Sequence, residues 1–154
     1  VDVIACNSAI SACERGARWP QALQLLDEAQ RRDLQVDVIS YNASISACEK
    51  GRQWQRAAQL LPGMRCRSLR PDAITYNSLI GACQGGRPWK QALGLFLAMR
   101  REGVQPDSIT YNSLITALDK GHMWELALGT FAGMREAGLT PSVVTYNATI
   151  TSVE

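Results

Sequence analysis

The sequence predicts an all-α fold, an α-solenoid in which antiparallel helix pairs stack into a right-handed superhelix. Two observations predict it. Apolar residues follow the spacing of amphipathic helices, and the whole pattern repeats every 35 residues. Four residue types recur at that interval: Tyr41, Tyr76, Tyr111 and Tyr146; Trp19, Trp54, Trp89 and Trp124; Ala12, Ala47, Ala82 and Ala117; Gly16, Gly51, Gly86 and Gly121. A fixed period is typical of arrays whose units bury their apolar faces by stacking on neighbours.

The period divides the chain into repeat units at residues 3–37, 38–72, 73–107 and 108–142, with a partial fifth unit at 143–154. The first residues fall at a unit boundary and the last ones inside a predicted helix. We therefore expect the 154 residues to be a fragment of a longer array.

Each unit is predicted to begin with one helix, as the unit 38–72 illustrates. This helix covers roughly residues 39 to 50, with Tyr41, Ile45 and Cys48 at helical spacing on one face. Gly51 is expected to end it in a positive-φ conformation. The last residue of a unit precedes the first helix of the next and is an N-cap candidate, at Asp37, Asp72 and Asp107.

A second helix is predicted to begin near Trp54 and to stop before Pro71. Pro62 lies inside it and is expected to kink or shorten it. The recurring Trp, Ala, Ile and Leu residues are predicted to pack in the core. One further position is predicted to be core because it holds cysteine in three units and leucine in the fourth, at Cys13, Cys48, Cys83 and Leu118.

Composition and charge exclude several functions. The 16 Lys and Arg residues against 14 Asp and Glu give a net charge of +2, unlike the strongly basic proteins that coat nucleic acids regardless of sequence. The single histidine, His122, and the absence of a C-x-x-C motif argue against a metal site and against histidine-based catalysis. We therefore predict no enzyme, no metal and no cofactor. No run of 18 apolar residues occurs, so no membrane span is predicted.

One recurrent residue is polar, and stacking alone does not explain it. Asparagine, a mediocre helix former, occupies the same place in every copy, at Asn7, Asn42, Asn77, Asn112 and Asn147. One interpretation is local hydrogen bonding in the first helical turn. The other is an amide displayed on the concave side, whose donor and acceptor can read the edge of a base.

The unit 73–107 carries the motif Ile-Thr-Tyr-Asn-Ser-Leu-Ile, then Trp-x-x-Ala-Leu, Met-Arg and Gly-Val-x-Pro-Asp. This motif resembles the pentatricopeptide repeat family, in its plain 35-residue form, and the resemblance covers the whole chain. Cys6 departs from it where later units have Tyr, and Val36 departs where they have Pro. The resemblance implies binding of single-stranded RNA, one base per repeat.

The resemblance also implies the residues that bind RNA. The fifth and last residues of a unit read one base, as Asn7 with Asp37, Asn42 with Asp72, Asn77 with Asp107, and Asn112 with Ser142; Asn147 begins a fifth reader. Asn with Asp favours uracil and Asn with Ser favours cytosine, so the implied target is pyrimidine-rich, near 5′-UUUC-3′. The second residue of each unit sandwiches the bases, at Ile4, Ile39, Ile74, Ile109 and Val144.

A basic residue near the end of the first helix is implied to touch phosphate. Arg15, Lys50 and Lys120 fit this role, and Gly85 departs from it. Basic residues at a helix C-terminus also favour the helix dipole without RNA. The resemblance further implies organellar RNA processing, stabilisation or translation, in a chloroplast or mitochondrion. Two alternatives stay open: a helical scaffold for protein partners, and the targeting module of a larger RNA-processing enzyme.

Overall fold

A computed structural model describes residues 2–84 and 87–154. Over these ranges the chain forms α-helices and no strand. The helices are α1 (Val3–Arg15), α2 (Trp19–Arg31), α3 (Val38–Lys50), α4 (Trp54–Cys66), α5 (Ala73–Ala82), α6 (Trp89–Arg101), α7 (Ser108–Lys120), α8 (Trp124–Glu136) and α9 (Val143–Val153). The chain divides into two compact units, each larger than a 35-residue repeat: the first unit runs up to Ala82 and the second unit from Cys83 onwards. From here on, 'unit' means one of these two parts and 'repeat' means the 35-residue period. None of the described helices is long and apolar enough to cross a bilayer.

The first helices of the repeats start where a polar residue caps them. Asp37 accepts a hydrogen bond from the backbone N–H of Ser40 at 3.0 Å, and the Ser40 hydroxyl accepts one from the N–H of Asp37 in return. This reciprocal capping box satisfies two N–H groups that the helix itself leaves unpaired. Asp107 with Thr110 and Ser142 with Thr145 form the same box. The predicted caps at Asp37 and Asp107 are therefore confirmed.

In the first unit, α1, α3 and α5 pack side by side, and α2 and α4 pack against them. Ile10 of α1 and Ile45 of α3 are fully buried. Tyr41 is buried as well, and its hydroxyl accepts a 2.7 Å hydrogen bond from Gln30 Nε2. Since α3 contacts a neighbour on every apolar side, the unit has the shared core that the period predicts.

In the second unit, α7 packs against α6, α8 and α9. Leu114, Ile115 and Leu118 of α7 are fully buried, as is Met134 of α8. Phe96 of α6 meets Tyr111 edge to face, with the ring centroids 5.3 Å apart. The same layering of first and second helices therefore occurs in both units.

The structure corrects the expectation for Gly51. Its φ is −83°, which any residue adopts, and the left-handed conformation falls on the next residue, Arg52, with φ 56°. Glycine is needed at this position for space, because a Cβ on Gly51 would lie 2.2 Å from Cδ1 of Trp19. The indole of the preceding repeat thus packs on the helix end, with the Arg56 guanidinium 4.8 Å from its ring centroid.

Two further expectations are wrong. The tryptophans are not core residues: Trp19, Trp54 and Trp89 are only partly buried, and Trp124 is 47% exposed. Trp19 covers the joint with the second repeat instead of filling the interior. The shortening expected at Pro62 does not occur either, since α4 runs on to Cys66 and has 13 residues, as many as α2.

Candidate nucleic-acid interface

A row of exposed branched apolar side chains follows the first helices. Each lies at the second position of its repeat, and each is between 61% and 76% exposed. The row comprises Ile4, Ile39 and Ile74 in the first unit, and Ile109 and Val144 in the second. Ile45, two helical turns further along α3, is by contrast fully buried. Single exposed apolar residues are ordinary, but exposure at the same place in every repeat is not, and it makes this place in each unit a candidate for ligand binding.

The asparagine row lies one helical turn along from the apolar row. Asn42 follows Ile39 by three residues and therefore shares its side of α3. Its amide nitrogen donates a 3.1 Å hydrogen bond to Oδ1 of Asp72, the residue with which the sequence pairs it. Asn7 approaches Asp37 in the same way, at 3.5 Å. In the first unit the fold thus brings together both Asn–Asp pairs that lie wholly within it.

The other side of each amide meets a hydroxyl group that the sequence reasoning did not single out. The Thr75 hydroxyl donates to Oδ1 of Asn42 at 2.5 Å, and the Ser40 hydroxyl donates to Oδ1 of Asn7. Both hydroxyls are fully buried and sit at the third position of the following repeat. The signal for them was present, because a hydroxyl residue recurs there, at Ser40, Thr75, Thr110 and Thr145.

In the second unit, Asn112 is held by the Thr145 hydroxyl, which donates to its Oδ1. The Ser142 hydroxyl lies 3.0 Å from the Thr145 hydroxyl. Ser142 is therefore linked to Asn112 through Thr145. Asn147 is exposed on α9.

The remaining predicted pair is divided between the two units, with Asn77 in α5 and Asp107 at the start of α7. Asn77 is partly buried, and Asp107 caps α7. Within its own unit, Asn77 therefore occupies the same repeat position as Asn7 and Asn42, and Asp107 the same one as Asp37 and Asp72.

The basic residues predicted to touch phosphate end their helices. Arg15, Lys50 and Lys120 are all exposed. Lys50 already has an anionic partner, because its Nζ lies 3.6 Å from Oε1 of Glu14 and donates to the Glu14 backbone carbonyl at 3.3 Å. Phosphate would therefore compete with Glu14 for Lys50. The predicted departure at Gly85 lies outside the described residues, as does Gly86.

Acidic residues lie beside the basic row, and the sequence pattern alone did not single them out. Glu14 accepts a 2.9 Å hydrogen bond from the Ser46 hydroxyl. Glu49 lies over Gly81, where a Cβ would come within 2.2 Å of its Oε1. Burial raises the pKa of the Glu49 carboxyl, and a hydrogen bond from Ser78 opposes that rise. The row next to the asparagines is thus less positive than its lysines and arginine alone would make it.

The cysteines at the recurring core position are not reactive thiols. Cys48 and Cys83 are buried, and burial raises the pKa of each thiol to about 11, which keeps both protonated and unreactive. Cys13 is partly buried at the equivalent place. Among the described residues, no group of three or more His, Cys, Asp and Glu side chains is placed to hold a metal ion.

Fold and surface together define a class, that of helical-repeat proteins that expose one branched apolar residue per repeat and hold asparagine amides by hydrogen bonds to the following repeat, here at Asn7, Asn42 and Asn112. Models of one protein family match most of the sequence. The pentatricopeptide repeat domain matches residues 24–86 and 94–153, and the PPR repeat matches residues 74–104. These matches cover more than half of the chain, which therefore belongs to the pentatricopeptide repeat family. No curated protein matches the sequence.

Solved structures share the α-solenoid fold. The pentatricopeptide repeat protein PPR10 from maize is 27% identical, with a TM-score of 0.82 over 98% of this chain and 22% of its own. PPR10 in complex with an 18-nt psaJ RNA element is 28% identical, with a TM-score of 0.85 over 99% of this chain and 22% of its own. This chain therefore spans about a fifth of the length of PPR10.

A more distant neighbour shares the fold alone. The PPR domain of Arabidopsis thaliana protein-only RNase P 1, in complex with tRNA, is 18% identical. Its TM-score is 0.86 over 97% of this chain and 79% of its own. Helical repeats of this geometry therefore occur in relatives of quite different sequence.

Proposed function

We propose that this chain binds single-stranded RNA, one base per repeat, with a preference near 5′-UUUC-3′. The observation that carries the proposal is the set of five exposed apolar side chains, with 61% to 76% of their surface in water, beside asparagines that are held by hydrogen bonds. The RNA bound by PPR10, its relative over 99% of this chain, supports the same partner. The chain acts by binding and not by catalysis.

The chemistry of a repeat fits one base. Ile39 and Ile74 are exposed at equivalent places on neighbouring helices, and the flat faces of a base can rest between such side chains. Asn42 has one amide hydrogen bonded to Asp72 and one lone pair bonded to Thr75, so a second hydrogen and a second lone pair remain for a base edge. By the family pattern, the Asn–Asp pairs then read uracil, and Asn112 with Ser142 reads cytosine.

The expected affinity is moderate. Contact with one base contributes about 1–3 kcal/mol, and four or five repeats must also offset the cost of ordering the RNA. Lys50 is shared with Glu14, so the phosphate contribution is small for a protein of net charge +2. We propose that this affinity serves RNA processing, stabilisation or translation in a chloroplast or mitochondrion. Organelle import of the full-length protein tests that part.

A titration by fluorescence anisotropy tests the binding proposal. Its probes are 12-nucleotide RNAs with UUUC, UCUC or AAAA at the centre of an adenosine sequence. The UUUC probe should bind most tightly, and equal, negligible affinity for all three would favour a protein scaffold instead.

A variant tests whether reading is modular. By the family pattern, Asn42→Thr beside the retained Asp72 should move the preference at the second base alone from U toward G. The other three bases serve as internal controls. Loss of all binding without such a shift, in a variant that still folds, would contradict one-base-per-repeat reading.

A further inference from the structure

From the second repeat onwards a buried hydroxyl occupies the third position, and at Ser40, Thr75 and Thr145 it has a second bond besides its helix cap. Thr75 Oγ1 accepts a 3.1 Å hydrogen bond from the backbone N–H of Asp72, so its lone pair serves the cap. Oγ1 lies 2.5 Å from Oδ1 of Asn42 and 3.0 Å from Oδ1 of Asp72, and it has a single proton to donate. The shorter bond directs the proton to Asn42.

That proton decides which way the amide of Asn42 faces. An amide has a donor side and an acceptor side that can exchange by a half-turn of the side chain. A hydroxyl that donates its proton can bond only to the amide oxygen, and the Asp72 carboxylate can bond only to the amide nitrogen, from which it accepts a hydrogen bond. The two partners therefore select the same orientation, and Asn42 presents a fixed donor and acceptor pattern to whatever binds beside it.

We infer that the buried hydroxyl one position before the tyrosine place, at Ser40, Thr75 and Thr145, is a positioning residue that sets base specificity in the preceding repeat. The inference rests on the proposed RNA binding and adds a residue to its reading site. The hydroxyl touches no base, and it acts by holding the amide of Asn7, Asn42 or Asn112.

Repeats that end in Asp and the repeat that ends in Ser should depend on the hydroxyl to different degrees. Asn42 is oriented by Asp72 and by Thr75, whereas the Ser142 hydroxyl reaches Asn112 through Thr145. Removal of the Thr145 hydroxyl should therefore free its asparagine more than removal of the Thr75 hydroxyl does. Both changes remove the same capping-box bond, so a purely structural role predicts equal effects.

The experiment compares Thr145→Val and Thr75→Val, which keep the branched shape, with Thr145→Ser and Thr75→Ser, which keep the hydroxyl. Ser40 at the equivalent place shows that serine can donate to the asparagine. Anisotropy titrations measure the affinity ratio between C and U at the fourth base, and between U and C at the second. Thermal melts by circular dichroism report folding of each variant.

We expect Thr145→Val to lower the ratio at the fourth base by at least about fivefold, where a good base contact gives about 5- to 150-fold. Thr75→Val should lower the ratio at the second base by about twofold, and both serine variants should keep the parent ratios. The other bases should be read as before.

Each other outcome overturns the inference in a different way. Unchanged ratios in folded valine variants leave RNA binding intact and remove the hydroxyl from the reading site. Loss of affinity that is equal at all bases, or that serine does not rescue, assigns the hydroxyl to the helix cap alone. If the unaltered chain binds none of the probes, the proposed function itself fails, and the inference fails with it.

Discussion

Replacement of Gly51 by alanine probes the joint between repeats most directly. The new Cβ would stand 2.2 Å from Cδ1 of Trp19, and ordinary contact begins at 3.4 Å, so the indole must retreat by about 3.4 − 2.2 = 1.2 Å. Overpacking of this kind costs about 1–3 kcal/mol. The φ of Gly51 is −83°, which alanine adopts freely, so the variant regains about 0.4–1 kcal/mol from its stiffer unfolded chain.

The net expectation for Gly51→Ala is a loss of about 1–2 kcal/mol. For a chain of this length that corresponds to a melting temperature lower by roughly 2–8 °C. The assay is denaturation by heat and by urea, each followed by circular dichroism. The two unfolding transitions are compared because repeat arrays can unfold in parts.

A matched control lies in the second unit. Gly94 is in the middle of α6, and a Cβ there would meet nothing within 4 Å. Gly94→Ala should therefore stabilise the chain by about 0.5–1 kcal/mol, because alanine is the better helix former. A Trp19→Ala background should abolish the cost of Gly51→Ala. If Gly51→Ala instead stabilises the chain as Gly94→Ala does, the packing of Trp19 against this helix end is refuted.

Three further changes address the surface and its charges. Ile39→Ala should weaken RNA binding by about 1–3 kcal/mol at an almost unchanged melting temperature, since Ile39 is 63% exposed; the fully buried Ile45 is its contrast, because Ile45→Ala should cost about 2–5 kcal/mol of stability. Glu14→Gln should release Lys50, tighten RNA binding at low salt and steepen the dependence of log K on log salt by up to about 0.7; an unchanged slope would exclude Lys50 from phosphate contact. Glu49→Gln should raise the free energy of unfolding at pH 7. The raised pKa of Glu49 means that the folded chain loses stability as pH rises from the ordinary value of 4.5 through the folded one, so the gain should shrink toward pH 4 in paired melts.

The helices and their caps were predictable because each depends on neighbours in sequence. Apolar spacing indicated a first helix near residues 39 to 50, and α3 runs from Val38 to Lys50. A short polar residue before an apolar run indicated the caps at Asp37 and Asp107. Both signals lie within a few residues of the structure that they specify.

The joints between repeats were not predictable in the same way. Trp19 and Gly51 are 32 positions apart, and their contact depends on how the second helix of one repeat meets the first helix of the next. A recurring glycine after a helix favours a left-handed cap on local grounds, and only the neighbouring indole shows that space is the constraint. The partial exposure of Trp19 follows from the same geometry, because a residue at a joint is covered on one side.

The residues proposed to read bases depend both on contacts close in sequence and on contacts between repeats. Asp37 caps α3 through the N–H of Ser40, and the same Oδ1 atom accepts the Asn7 amide from the preceding repeat. If Asp37 reads a base as proposed, a change at this position alters helix stability together with base recognition. Since loss of an N-cap costs about 0.5–2 kcal/mol, only short polar residues can be exchanged there without destabilising the joint.

Ser142 illustrates that constraint. It differs from Asp37 in charge and in its link to the asparagine, yet it accepts the N–H of Thr145 at 3.3 Å and keeps the capping box. The residues able to cap are few, and they differ in the hydrogen bonds that they offer to an amide: a carboxylate only accepts, whereas a hydroxyl also donates. The cap therefore limits the last residue of a repeat to a small set, and under the proposed function the chemistry within that set is what remains available to tell one base from another.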